Sequence, residues 1–168
     1  MKFLNLLSAL SAVAVATAAP LSIGRRAIFS PTSYNDLSIS GGTAGGAAQA
    51  ALARLGPLPS DLTTVEQSDI DFLDSVNSIC NDAEKEAFNP AIAAASGDEA
   101  DALQRGKIQN KVLKLTATVL KLQIQQAQGK DDVADKLAQE QTKLTNNIGQ
   151  DKAAAGLPAT FLPFNAST

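Results

Sequence analysis

The chain has 168 residues, a formal net charge of −3, no histidine, no tryptophan, one cysteine, and six Phe and one Tyr as its aromatics. Without histidine, Ser-His-Asp and Cys-His catalysis and His-containing zinc sites are excluded. A single cysteine likewise excludes an intrachain disulfide and a cysteine metal cluster. The acidic balance argues against general phosphate-backbone binding, which relies on clustered Lys and Arg, so no nucleic-acid partner is expected.

The first element is a secretory signal peptide over residues 1–18. Lys2 supplies a positive start, the run from Phe3 to Val15 is mostly apolar, and Ala16-Thr17-Ala18 offers small residues for a signal peptidase, with cleavage after Ala18 or Ala19. The run is shorter than the ~20 residues that cross a bilayer, and Asn5, Ser8 and Ser11 interrupt it. No later segment is apolar enough to span a membrane, so a secreted, extracellular product is expected. Residues 19–26 end in Arg25-Arg26, after Pro20 and Gly24. The pair reads equally well as a second processing site closing a propeptide and as an ordinary basic pair in an accessible leader. Loss of Lys2, Arg25 and Arg26 would take the net charge from −3 to −6.

Residues 27–60 mix Ser, Thr, Pro and Gly and predict an irregular segment with one short helix near Gly46 to Leu55. The stretch Gly41-Gly42-Thr43-Ala44-Gly45-Gly46 is glycine-rich like a phosphate-cradling loop. No Gly-Lys-Ser/Thr follows and no strand pattern precedes, so it reads as a lead-in to the helix.

Residues 61–155 predict an all-α bundle. Helix A covers about 68–88, with Ser68 and Asp71 as a capping-box start. Ile70, Leu73, Val76, Cys80, Ala83 and Ala87 form its apolar stripe, which makes Cys80 a small buried hydrophobe. Asn89-Pro90 should end or kink it, with a turn or two resuming before Ser96-Gly97-Asp98 breaks the chain. Helix B, about 98–128, carries the strongest pattern: Ile108, Val112, Leu115, Val119 and Leu122, widened by Leu113, Leu120 and Ile124. At ~1.5 Å per residue it would be about 45 Å long, a spine for the bundle. Gly129-Lys130 turns the chain into helix C, about 131–153, with Val133, Leu137, Leu144 and Ile148 facing B. This long hairpin can close on helix A or on a second copy of the chain.

The tail, 156–168, reads as irregular and flexible because of Gly156, Pro158 and Pro163. Leu157, Phe161, Leu162 and Phe164 make it apolar enough to dock on the bundle or serve as an interaction tail. Asn165-Ala166-Ser167 is a glycosylation sequon, too near the C-terminus for good occupancy. Acids dominate 61–101 and bases dominate 105–121, so helices A and B can attract each other, although exposed pairs contribute only ~0 to 1 kcal/mol each. Neither Asp69-Asp71-Asp74 nor Asp131-Asp132-Asp135 has the spacing of a catalytic pair or calcium loop. No catalytic residue, cofactor or metal is expected, and the chain reads as a non-enzymatic binding protein.

Four segments resemble a family of small secreted proteins of filamentous ascomycete fungi, many of them candidate effectors. They are Ala19-Pro20-Leu21, the run from Ser33 to Ser40 (SYNDLSIS), the run from Phe88 to Gly97 (FNPAIAAASG), and the run from Ala102 to Leu115 (ALQRGKIQNKVLKL). The resemblance covers most of the chain. It implies extracellular deployment toward a host or the fungus's own wall, and it implies no activity or catalytic residues.

Overall fold

The computed structural model describes residues 27–168. The signal peptide, Ala18 and the basic pair Arg25-Arg26 lie outside the described residues. The described chain is all-α: α1 (Tyr34–Leu37), α2 (Ala47–Leu55), α3 (Gln67–Ala83), α4 (Asn89–Ala94), α5 (Gly97–Ala127) and α6 (Ala134–Ala153), with 3-10 turns at Leu62–Thr64 and Asp131–Val133. Among the described residues there is no strand, only isolated bridges at Ser33–Ser167 and Thr43–Pro158.

The spine expected from the apolar pattern is α5. It buries Leu103, Val112, Leu113, Leu122 and Ile124, and also Gln109, Asn110, Thr116 and Thr118. A helix buried on several faces must be surrounded, and α2, α3, α4 and α6 all pack against it. The hairpin therefore closes on α3 within one chain. Buried polar groups need partners, and Asn110 has two: it accepts from the Tyr34 hydroxyl at 3.0 Å and donates to the Cys80 carbonyl at 2.8 Å. One fully buried side chain thus ties α1 and α3 to α5.

The start and end of helix A differ from expectation. Glu66, not Ser68, occupies the N-cap, and no side chain caps the first turn. Asp71 instead accepts from the Gln67 side chain at 2.7 Å, one turn along the exposed face. At the other end Asn89-Pro90 does not stop the helix. A π-helical turn, Glu84–Phe88, joins α3 to α4, and the Asn89 N–H bonds back five residues to the Glu84 carbonyl. Proline cannot donate and its ring crowds the carbonyl four residues back; the wider turn accommodates both. A π turn adds one residue to the repeat, so the buried position after Ala83 falls on Phe88 rather than on Ala87.

The tail is irregular as expected, but it is pinned to the bundle rather than free. Its backbone pairs antiparallel with the N-terminal segment. Gly156 N–H donates to the Ala44 carbonyl at 3.0 Å, Ala44 N–H to Leu157 at 2.9 Å, Ala159 N–H to Gly42 at 2.9 Å and Tyr34 N–H to Ala166 at 2.9 Å. The glycine-containing segment 32–44 and the proline-punctuated tail satisfy each other's polar groups. This strap explains Gly41 and Gly45. Gly45 has φ 111° and sits where a Cβ would lie 2.8 Å from the Ala155 Cβ, a conformation and a clearance that glycine supplies.

Gly106, inside α5, is a second crossing point. The tail residue Thr160 donates its N–H to the Ala102 carbonyl, and a Cβ on Gly106 would stand 1.9 Å from the Thr160 oxygen. Helix propensity alone favours Ala over Gly by about 1 kcal/mol. Gly106→Ala is nevertheless expected to destabilise by about 1 to 3 kcal/mol through this clash, read as a lower melting temperature. An unchanged or higher melting temperature would contradict the crossing.

Candidate functional site

Three helices each turn one polar stripe toward a common cleft of about 350 Å³. Asn77, Asn81 and Glu84 come from α3 and the π turn, Lys111 and Lys114 from α5, and Glu140, Lys143 and Asn147 from α6. The spacings of three, four and seven residues place each set on one face of its helix. These stripes lie beside the apolar stripes that form the core. The sequence holds this pattern, but Asn, Lys and Glu at helical spacing are what a solvated helix face ordinarily carries.

Inside the cleft most groups hold one another. Lys114 Nζ donates to Glu84 at 2.7 Å, with both side chains under one-fifth exposed. The same ammonium also reaches the Asn81 Oδ1 at 3.4 Å. Asn77 donates to the Thr118 hydroxyl at 2.6 Å, and the more exposed Lys143 pairs with Glu140 at 2.9 Å. Two groups are left over. Lys111 has no hydrogen-bond or ion-pair partner among the described residues. Asn147, 7% exposed, donates to the Lys143 carbonyl while its Oδ1 has no partner there. Three lysines face two glutamates, so the cleft carries one excess positive charge and an unused acceptor. Such a site suits an anion with neighbouring hydroxyl or amide donors.

The residues singled out from the sequence do not gather into one site. Phe164 is half-buried and meets the Tyr34 ring edge-on at 5.8 Å. Leu162, also half-buried, lies beside Leu103 and Ala91. Leu157 and Phe161 remain exposed, at 50% and 38%. The interaction tail therefore divides into two docked residues and two free ones. Asn165 is exposed. A separate apolar groove of about 540 Å³ runs between Leu52, Leu55, Pro57, Leu58 and Leu120.

The fold and the cleft together define an all-α bundle carrying a charged, solvent-open recess between three helices. The chain belongs to the family described as Domain of unknown function (DUF8454), whose model matches residues 29–163. No curated protein and no solved structure matches it. Among the described residues, no helix is long and apolar enough to cross a membrane.

Cys80 is fully buried in the core. Burial pushes its thiol from 9.0 up to about 12, against a smaller lowering by Lys114. Burial also pushes the Tyr34 hydroxyl from 10.0 up to about 12, which keeps it a donor to Asn110 above pH 10 as well as at neutral pH. Above pH 9 the unfolded thiol loses its proton while the folded one keeps it, so folding stability falls as pH rises. The decline should start near pH 9 and continue toward 12, and Cys80→Ala should flatten its early part. A melting series from pH 7 to 11 checks this; identical slopes in the two proteins would contradict the buried thiol. In the native protein near pH 8, a thiol reagent should label Cys80 only as fast as the chain unfolds.

Proposed function

We propose that the chain is a secreted, non-enzymatic helical protein that acts by binding a partner, effector-like in the contact between a fungus and its host. The observation that supports binding most directly is the cleft, where Lys111 and the Asn147 oxygen are left unused by the protein itself. The partner that fits presents an acidic group flanked by hydroxyl or amide donors, as acidic wall polysaccharides and acidic protein surfaces do. Export rests on the leader at 1–18, and the fungal setting on the family resemblance. The absence of histidine removes acid-base catalysis of the Ser-His-Asp and Cys-His kinds.

A second reading, adsorption to walls or apolar surfaces, draws on exposed Leu52, Leu157 and Phe161. It draws less on the amphipathic helices than their patterns imply, because the stripes of α3 and α5 are buried in the core.

The two readings separate in a depletion assay with purified protein on immobilised acidic polysaccharide, neutral polysaccharide and hydrophobic beads. The binding reading expects retention on the acidic matrix that weakens with salt and falls about ten-fold or more in Lys111→Ala/Lys143→Ala, since hydrogen bonds to charged groups contribute ~1.5 to 3 kcal/mol. Retention on beads alone, unaffected by the double substitution, would favour adsorption. Unchanged colonisation by a deletion strain would remove the effector role.

A further inference from the structure

The basic pair Arg25-Arg26 gains a structural counterpart three residues downstream. Ala27 directly follows Arg26, and the next two backbone N–H groups, of Ile28 and Phe29, both donate to Asp69 Oδ1, at 2.8 and 3.0 Å. The Phe29 ring stacks on Phe72, with centroids 4.5 Å apart, which holds this end of the chain against α3.

Asp69 is 1% exposed, and its Oδ2 has no hydrogen-bond partner among the described residues. No cation pairs with it there. A carboxylate taken out of water without a counter-ion is strongly penalised. Two N–H donors and the start of α3 offset part of that penalty. They supply dipoles and no charge.

The missing charge is one peptide bond away. Backbone bond lengths keep the Ala27 nitrogen within about 3.7 Å of the Ile28 nitrogen. The Ile28 nitrogen itself lies 2.8 Å from the carboxylate. We propose that hydrolysis of the Arg26–Ala27 bond turns Ala27 into an N-terminal ammonium that pairs with buried Asp69 and locks residues 27–29 onto α3. Water supplies the hydroxyl that becomes part of the Arg26 carboxylate on the released leader, and the freed Ala27 amine takes up a proton at neutral pH. Ala27 is exposed, so its new ammonium stays partly hydrated as it reaches toward the carboxylate. Asp69 is then the receptor of a processing step, and its counter-charge is present only in the trimmed protein.

The test begins with the protein as exported into culture medium, its N-terminus read by intact mass and terminal sequencing. The expected start is Ala27, and Arg25→Ala/Arg26→Ala should retain the preceding residues. A wild-type protein that starts anywhere upstream of Ala27 overturns the proposal. The trimmed form should melt about 2 to 6 °C above the untrimmed variant, and Asp69→Asn, which keeps an acceptor but removes the charge, should abolish that difference. An equal difference in Asp69→Asn would overturn it. Should that variant fail to fold, the wild-type α-amine decides, titrated by nitrogen NMR. A pKa clearly above the ordinary ~7.7 to 8.0 supports the pair, and an ordinary value overturns it.

Discussion

The structure depends on the burial of α5. A helix of 31 residues that is covered along most of its length must find partners for its polar groups as well as its apolar ones. Asn110 is where the two demands meet. Its amide bonds to the Cys80 carbonyl and to the Tyr34 hydroxyl, so α3 and α1 are set against the spine by geometry rather than by apolar contact alone. Apolar packing is adaptable, whereas a buried amide with two named partners admits one arrangement.

A chain this poor in aromatics, with one cysteine and so no intrachain disulfide, would be expected to fold weakly. Its answer is to pair two segments that lie far apart in the sequence. Backbone pairing between 32–44 and 156–168 joins segments more than a hundred residues apart, and small residues at 41–45 and at Gly106 let the strap approach the bundle closely. Asp151 adds a further tie: it leaves α6 to accept the Ala47 N–H at 2.9 Å, capping a helix whose own N-cap, Gly46, has no side chain to offer. The same economy exposes the cleft, since three helices packed by small and branched residues leave their polar stripes facing one another.

Much of this architecture was legible in the sequence because it is periodic. Ile70, Leu73, Val76, Cys80 and Ala83 proved to be one buried face, and Ile108, Val112, Leu115, Val119 and Leu122 another. What stayed hidden was non-local or non-periodic. The π turn shifts the buried face from Ala87 to Phe88, and no single-residue preference marks that extra residue. The apolar residues of the tail made docking an expectation, but its Gly and Pro content hid the backbone pairing with residues 32–44 that holds it. The cleft was missed for a different reason. Asn77, Asn81, Lys111 and Asn147 are the residues a solvated helix face ordinarily carries, and only their convergence from three helices makes them a site.

The central claim is that both terminal segments and α5 form a single cooperative unit without any covalent staple. Native-state hydrogen exchange measures this directly. The amides of Tyr34, Ala44, Gly156 and Ala159, all paired across the strap, should be protected to within about 1 to 2 kcal/mol of the core amides at Val112 and Leu113. If those four amides exchange freely while α5 remains protected, the strap opens on its own and the account is wrong.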